Sequence, residues 1–372
     1  MSEAAAGATS QAGAAGSMDS TSFGSGVADL TELGLIRVQG ADATSFLQAQ
    51  LTNDVASLQD GEVRLAGYCS VKGRLMASFW VWRETAADTV WLACSRDIAA
   101  MVARRLAMFV LRAKAKVEDV SDGIGLLGIL AVDGDTGAPT IDEGARVLPP
   151  VVVSAALAAA IDPARLETAA DVRIARALLP VSAAAREDAL QAMRQAGTRI
   201  LPMAAWRRLE VLSGIARIEA ANQELFVPQM VNFELVGGVN FRKGCYPGQE
   251  VVARSQYLGK LKRRAFLGMG AGDAPVSATD VFAPASGATE PVGQVVLAAP
   301  LGDGRRVVAF FESTVAAVPA ATEPQRQPAE GDAGEPAIRI GASPITLLQL
   351  PYSVPAPAAP SAPARRVPDA AA

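Results

Sequence analysis

Eight consecutive residues, Lys243-Gly244-Cys245-Tyr246-Pro247-Gly248-Gln249-Glu250, gather an amine, a thiol, a phenol, an amide and a carboxylate around two glycines. Glycine opens backbone angles closed to other residues, and Pro247-Gly248 suits the centre of a type II turn, so this segment predicts a tight loop that fixes reactive groups. The simpler reading is a polar turn between two elements. The rest of the chain narrows the chemistry. In 372 residues there is no histidine, which excludes Ser-His-Asp and Cys-His catalysis, His-bearing zinc sites and the usual near-neutral proton shuttle. Proton transfer falls to carboxylates, Lys, Tyr or Cys. The three cysteines, Cys69, Cys94 and Cys245, lie far apart with no CxxC pair, so a four-ligand structural zinc site cannot be built from soft ligands alone and no metal site is expected. A single Cys remains available as one cluster ligand or as a redox thiol.

The elements that position this loop follow from patterning. Residues 35–38 read as a strand and residues 42–47 as a capped helix start. Residues 78–83 and 89–94 alternate like a hairpin turned at 84–88, a helix is expected over 98–106, and strands near 113–117 and 126–132. Helical spacing returns over 182–196 and 203–213. After Glu250 the chain breaks into short strands, 251–254, 265–269, 292–298 and 306–311, separated by Gly, Pro and Asp, as in a small antiparallel barrel. The fold class is therefore α+β, with the signature loop at the junction of a body and a barrel, a favoured place for ligand sites. The expected divisions are a disordered tail over 1–27, a two-lobed body over 28–252, a barrel over 253–352 interrupted by a Pro/Ala-rich insert at 319–335, and a disordered tail over 353–372. Within the barrel region, residues 338–352 are expected to return as a last strand.

Charge and hydropathy set limits on partners. The net charge is −4, so no global field invites nucleic acid. Mean hydropathy is +0.23, but the most apolar run, residues 151–161, is too short to span a bilayer. The N-terminal residues lack the positive start of a secretory signal and the arginines of a transit peptide, and the odd cysteine count suits a reducing compartment, so a cytoplasmic protein is expected. Lysine is rare, at Lys72, Lys114, Lys116, Lys243, Lys260 and Lys262, which sets Lys243 against the arginine-rich habit of the chain.

The signature loop does not stand alone. Residues 50–55 (QLTNDV), 67–74 (GYCSVKGR), 217–220 (RIEA) and 226–229 (FVPQ) precede it, and Arg254 and residues 259–264 (GKLKRR) follow. In this order the motifs resemble the YgfZ family, folate-binding relatives of the glycine-cleavage aminomethyltransferase, over residues 28–315 and the strand before Tyr352. A mitochondrial iron-sulfur assembly factor is similar through the same loop. The resemblance implies a two-lobed body with ferredoxin-like elements and a C-terminal β-barrel around a central cavity for tetrahydrofolate. It also implies an accessory role in assembling or repairing iron-sulfur clusters, with client enzymes and assembly proteins as partners. One such client thiomethylates tRNA, so the effect on tRNA modification is indirect and no direct nucleic-acid or membrane contact is expected.

The resemblance assigns Cys245 and Lys243 to the reactive centre, and Glu219, Tyr246, Gln249, Glu250 and Arg254 to folate binding. A pterin offers a donor pair that a carboxylate accepts in bidentate fashion, and Glu219 resembles the acid that does so; otherwise it is a surface partner for Arg217. Lys243, Arg254 and the basic run 260–264 are candidates to meet the glutamate tail of folate, and the run has a second reading as a solvated strand edge. Tyr246 either stacks on the ligand or packs under the turn. Cys245 is a redox thiol, a transient cluster ligand, a nucleophile or buried packing, whereas Cys69 and Cys94 are expected to be packing. The transferases carry an acidic pair after a Gly-Gly step, and here the matching residues 72–78 place Met76 and Ala77 where those acids stand. Folate binding is therefore expected without aminomethyl transfer.

Overall fold

The computed structural model describes residues 23–161, 170–257, 261–318 and 337–355. Two five-stranded sheets form the body. The first contains β2 (Leu33–Gln39), β3 (Val63–Cys69), β4 (Leu75–Glu84), β5 (Thr89–Ser95) and β6 (Lys116–Asp119), in the order β3-β4-β5-β2-β6. The second contains β1 (Gly26–Asp29), β7 (Ile124–Val132), β8 (Arg146–Val153), β9 (Val172–Ser182) and β10 (Ile200–Leu201), in the order β10-β1-β7-β9-β8. All ladders are antiparallel except that of β1 with β10. The chain thus starts in one sheet, builds the other, and returns. Six helices accompany the strands among the described residues: α1 (Ala43–Gln48), α2 (Arg96–Ala107), α3 (Ala155–Ile161), α4 (Arg186–Gln195), α5 (Met203–Leu212) and α6 (Gln249–Tyr257). A closed antiparallel barrel follows, made of β11 (Arg263–Ala271), β12 (Asp280–Phe282), β13 (Gly293–Pro300), β14 (Arg306–Thr314), β15 (Ile338–Ile340) and β16 (Ser343–Leu348).

Strand β4 explains why the body has a core on both sides. Every residue from Leu75 to Trp82 is buried, so one face packs Leu75, Trp80 and Trp82 toward the central core while the other packs Phe79 and Val81 against the sheet's own helices α1 and α2. The hairpin to β5 closes through a 3-10 turn at Thr85–Ala87 and Asp88 in the left-handed region.

Several expectations are corrected. Residues 251–254 are not a strand but the middle of α6: Gln, Glu, Ala and Arg are good helix formers, and the helix buries Val252 while Val251 faces solvent. Residues 338–352 form two strands, β15 and β16, which close the barrel against β12 and β11. Asp42 precedes α1 without capping it, because its Oδ2 accepts the Lys114 N–H at 2.7 Å instead. Order begins before residue 28. Phe23 and Ser25 are buried, and the Ser25 hydroxyl accepts the Val132 N–H at 2.9 Å. The glycine there serves close approach: a Cβ on Gly26 would lie 2.4 Å from Arg199 O. Residues 1–22, the 319–335 insert, Lys260 and most of the C-terminal tail lie outside the described residues. Among the described residues no helix is long and apolar enough to cross a membrane.

Candidate functional site

The signature loop is a turn pressed against another turn. Gly248 has φ +78°, and the Gln249 N–H donates to Tyr246 O at 3.2 Å, which closes the expected Pro247-Gly248 turn. A Cβ on Gly248 would lie 2.4 Å from Ser70 O and 2.6 Å from Gly73 N, while one on Gly73, itself at φ +70°, would meet Val251. The two separated motifs, residues 67–74 and 243–250, are thus one nested backbone unit. Gly244 differs, because it is not in the left-handed region and no atom stands within 4 Å of its Cβ position.

The segment around Thr52 anchors the loop from the other side. The Thr52 hydroxyl donates to Gly238 O at 2.6 Å and accepts the Gly67 N–H at 2.7 Å; Asn53 Nδ2 donates to Leu65 O and Gly237 O, both at 2.7 Å. Lys243 Nζ donates to the carbonyls of Leu51, at 2.6 Å, and Gln48, and sits 5.1 Å from the centroid of the Tyr246 ring. Burial lowers the Lys243 ammonium to about 8, opposed by the negative field of Asp54 and Cys245. Tyr246 is buried beneath it, so of its two readings packing under the turn prevails. Cys245 is exposed, which removes the reading of a thiol hidden behind the turn. Cys69 and Cys94 are buried; burial pushes the Cys69 thiol up to about 12 and the Cys94 thiol further.

Of the other expected ligand residues, Glu219 and two arginines of the basic run are engaged elsewhere. Glu219 is not a free acceptor: Arg207 donates to it at 2.7 and 3.1 Å, Arg217 at 2.9 Å, and the Ser277 hydroxyl also donates. Burial pushes its carboxyl up, but these donors outweigh it and hold it below the usual range. Arg217 is its partner as the simpler reading had it, though buried rather than at the surface, and also pairs with Glu210 and Glu32 at 2.8 and 2.6 Å. In the basic run, Arg263 pairs with Glu312 and buried Arg264 with Glu234, so those two are not free for a ligand tail; Lys262 is exposed. Gln249 and Glu250 open α6, with Glu250 exposed, and Arg254 is exposed in its last turn.

Sequence reasoning expected a central cavity but not the residues that wall it, and none of Glu219, Lys243, Cys245, Tyr246, Gln249, Glu250 and Arg254 lines the cleft. A cleft of about 450 Å³ opens between the body sheets and the residues leading into the loop, lined by Asn53, Asp54, Arg64, Trp80, Gly237 and Asn240. Behind it, sharing Leu65 and Trp80, lies a cavity of about 20 Å³ walled by Ser78, Arg176, Glu210 and Arg217. Arg176 is buried with its guanidinium 5.6 Å from the Trp80 ring and Nε on Pro149 O at 3.0 Å. Arg176 Nη2 and Arg217 Nε are buried donors without a partner. Trp80 and Arg176 left no signal because Trp80 lies within an apolar run and Arg176 reads no differently from Arg173, an exposed arginine on the same strand. Met76 and Ala77 are both buried in the α1/α2 core, and Met76 is skipped in the β3–β4 register at a bulge. Among the described residues no cluster of three potential metal ligands occurs.

Two sheets with a cleft between them, followed by a closed barrel, define an aminomethyltransferase-like fold. The solved structure of glycine cleavage system aminomethyltransferase T from Bartonella henselae matches with a TM-score of 0.56 over 80% of both chains, at 16% identity, which speaks for the fold alone. The family profile described as GCVT N-terminal domain matches residues 7–134. The chain is 32% identical over 237 residues to tRNA-modifying protein YgfZ of Vibrio vulnificus strain CMCP6, covering 64% of this chain and 68% of that one. To the protein of the same name from Edwardsiella ictaluri it is 32% identical over 271 residues, covering 72% and 78%. The chain belongs to the YgfZ family.

Proposed function

We propose that this chain binds a reduced folate, tetrahydrofolate or a close relative, in the cleft above Trp80 and acts as an accessory protein for iron-sulfur cluster assembly or repair. The observation that carries the folate reading is the base of the cleft, where an aromatic face and two partnerless buried donors, Arg176 Nη2 and Arg217 Nε, lie together. A pterin supplies a ring to stack and acceptor atoms for such donors. The inner cavity, at about 20 Å³, admits a water and not a ring, so the ring sits in the outer cleft and a water reaches the inner donors. Asn53, Asp54, Arg64 and Asn240 then orient the ligand, and its carboxylate tail points toward solvent. Calorimetric titration of tetrahydrofolate into wild type and Arg64→Gln tests this. Binding that weakens in the variant supports it, and no heat with wild type at millimolar folate overturns it.

Support for the cluster role comes from the exposed thiol of Cys245 on a loop held rigid by its nested turn. An accessible thiol on such a loop can ligate iron as cargo, releasing its proton to solvent, in transit to a client enzyme. Any influence on tRNA is read as passing through such a client, in line with the net charge of −4. Aminomethyl transfer is not part of the proposal, since Met76 and Ala77 supply no carboxylate. Cells lacking the protein and supplied with Cys245→Ala are expected to show low cluster-enzyme activity, with the variant folded and folate affinity kept. Full complementation by that variant would remove the thiol from the mechanism.

A further inference from the structure

On the far side of α5 from the ion-pair network lies a second concavity of about 500 Å³, sharing no lining residue with the folate cleft or its inner cavity. Its walls are apolar, with Phe23, Leu130, Ile174, Leu201 and Leu301 among them. Ala204 and Ala205 sit on the α5 face that meets it, and their small side chains leave the space open. One helical turn on, at the i+4 and i+3 positions from those alanines, Arg208 enters the same pocket. Arg208 is 7% exposed, and none of its guanidinium nitrogens has a hydrogen-bond partner among the described residues; its Nε is fully buried. Asp303 is the acid whose field it feels, but that carboxylate is spent on Arg306 Nε at 2.6 Å and on the N–H groups of Arg305 and Arg306. Exposed Arg199 stands at the rim.

A buried charge without a partner costs several kcal/mol unless something pairs with it. Its location at the end of an apolar chamber specifies the partner. We propose that this pocket is a second ligand site, for a small amphipathic carboxylate whose apolar body fills the chamber and whose carboxylate pairs with the Arg208 guanidinium. The planar fork of arginine matches a carboxylate in bidentate geometry, and the volume falls in the range of small-molecule sites.

Decanoate and decan-1-ol, which share an apolar chain and differ in the headgroup, are the probes, titrated calorimetrically into the full chain. Wild type is expected to bind decanoate more tightly than decanol. Arg208→Met should weaken decanoate about tenfold or more while leaving decanol within about twofold, the size expected for loss of one charge-assisted pair. Ala204→Phe keeps the arginine but fills the chamber, and should weaken both probes. In the absence of probe, Arg208→Met should melt no lower than wild type, because it removes an uncompensated charge. Absence of decanoate binding to wild type, equal decanoate affinity in wild type and Arg208→Met, or undiminished binding in Ala204→Phe overturns the proposal. So does a lower melting midpoint for Arg208→Met, which makes the guanidinium a structural group.

Discussion

Substituting Gly248 by alanine tests whether the signature loop is held by its nested turn. The added carbon would lie 2.4 Å from Ser70 O, 2.6 Å from Gly73 N and 2.7 Å from Gly73 Cα, all main-chain atoms that cannot swing aside. Ordinary contacts begin near 3.5 Å, so the two turns must part by about 1 Å. Parting them strains the Gly73 N–H to Ser70 O bond, at 2.8 Å, and the Gln249 N–H to Tyr246 O bond, at 3.2 Å. Each is worth about 1 kcal/mol, and the left-handed backbone at φ +78° adds about 1 kcal/mol for a residue with a Cβ. The expected loss is about 2–4 kcal/mol. Gly244→Ala is the internal control, since its Cβ position is open and its backbone unstrained; it should stay within about 0.5 kcal/mol of wild type. Urea unfolding followed by tryptophan fluorescence gives the global difference, and amide hydrogen exchange at residues 70–73 gives the local one. Equal midpoints and equal exchange in the two variants would refute the nested-turn account.

Thiol labelling should divide the cysteines: one equivalent, at Cys245, reacts quickly in the native protein, and three react in denaturant; fast native labelling of Cys69 or Cys94 would contradict their burial. The ammonium of Lys243, dimethylated and followed by carbon NMR, should titrate near 8, and an ordinary midpoint near 10.5 would count against its desolvation. Because that folded value lies below the unfolded one, the unfolded chain binds more protons between about pH 8 and 10.5, so this group makes stability rise with pH across that window. Arg217→Ala should cost about 3–5 kcal/mol in urea unfolding, because it strands the buried Glu210 carboxylate and unties Glu219 and Glu32; a change below about 1 kcal/mol would remove the network from the account of stability.

What the sequence made legible was whatever is local. The β4–β5 hairpin, α2, α4, α5, three barrel strands and the Pro247-Gly248 turn each follow from spacing within a dozen residues. What stayed hidden depends on partners distant in the chain. Val251 and Val252 read equally well as strand residues, and the helix is chosen because Val252 finds a core while Gly248 locks against Gly73. Arg263 and Arg264 look like an open basic edge until Glu312 and Glu234 arrive from 49 and 30 residues away. Trp80 and Arg176 belong to different sheets, so no sequence window contains the face they make together.

Glu219 shows most clearly how a recognisable position can change its work. Arg207 joins it to helix α5 and also donates to Ala298 O on β13 at 2.7 Å, Ser277 joins it to the barrel, and Asn222, three residues on, donates to Val296 O at 2.8 Å. The carboxylate is therefore the centre of a clasp between body and barrel. A ligand that sought it would have to displace Arg207 or Ser277 and leave a buried charge short of partners, at about 3–5 kcal/mol. The two charged hydrogen bonds of the bidentate pair it gained in return, at about 1.5–3 kcal/mol each, roughly offset that cost, and the ligand's own desolvation then comes on top. The balance does not favour exchange. On the proposed reading a folate is better served by the cleft, where nothing has to be broken first and a water links the ligand to the unspent donors of Arg176 and Arg217 behind it.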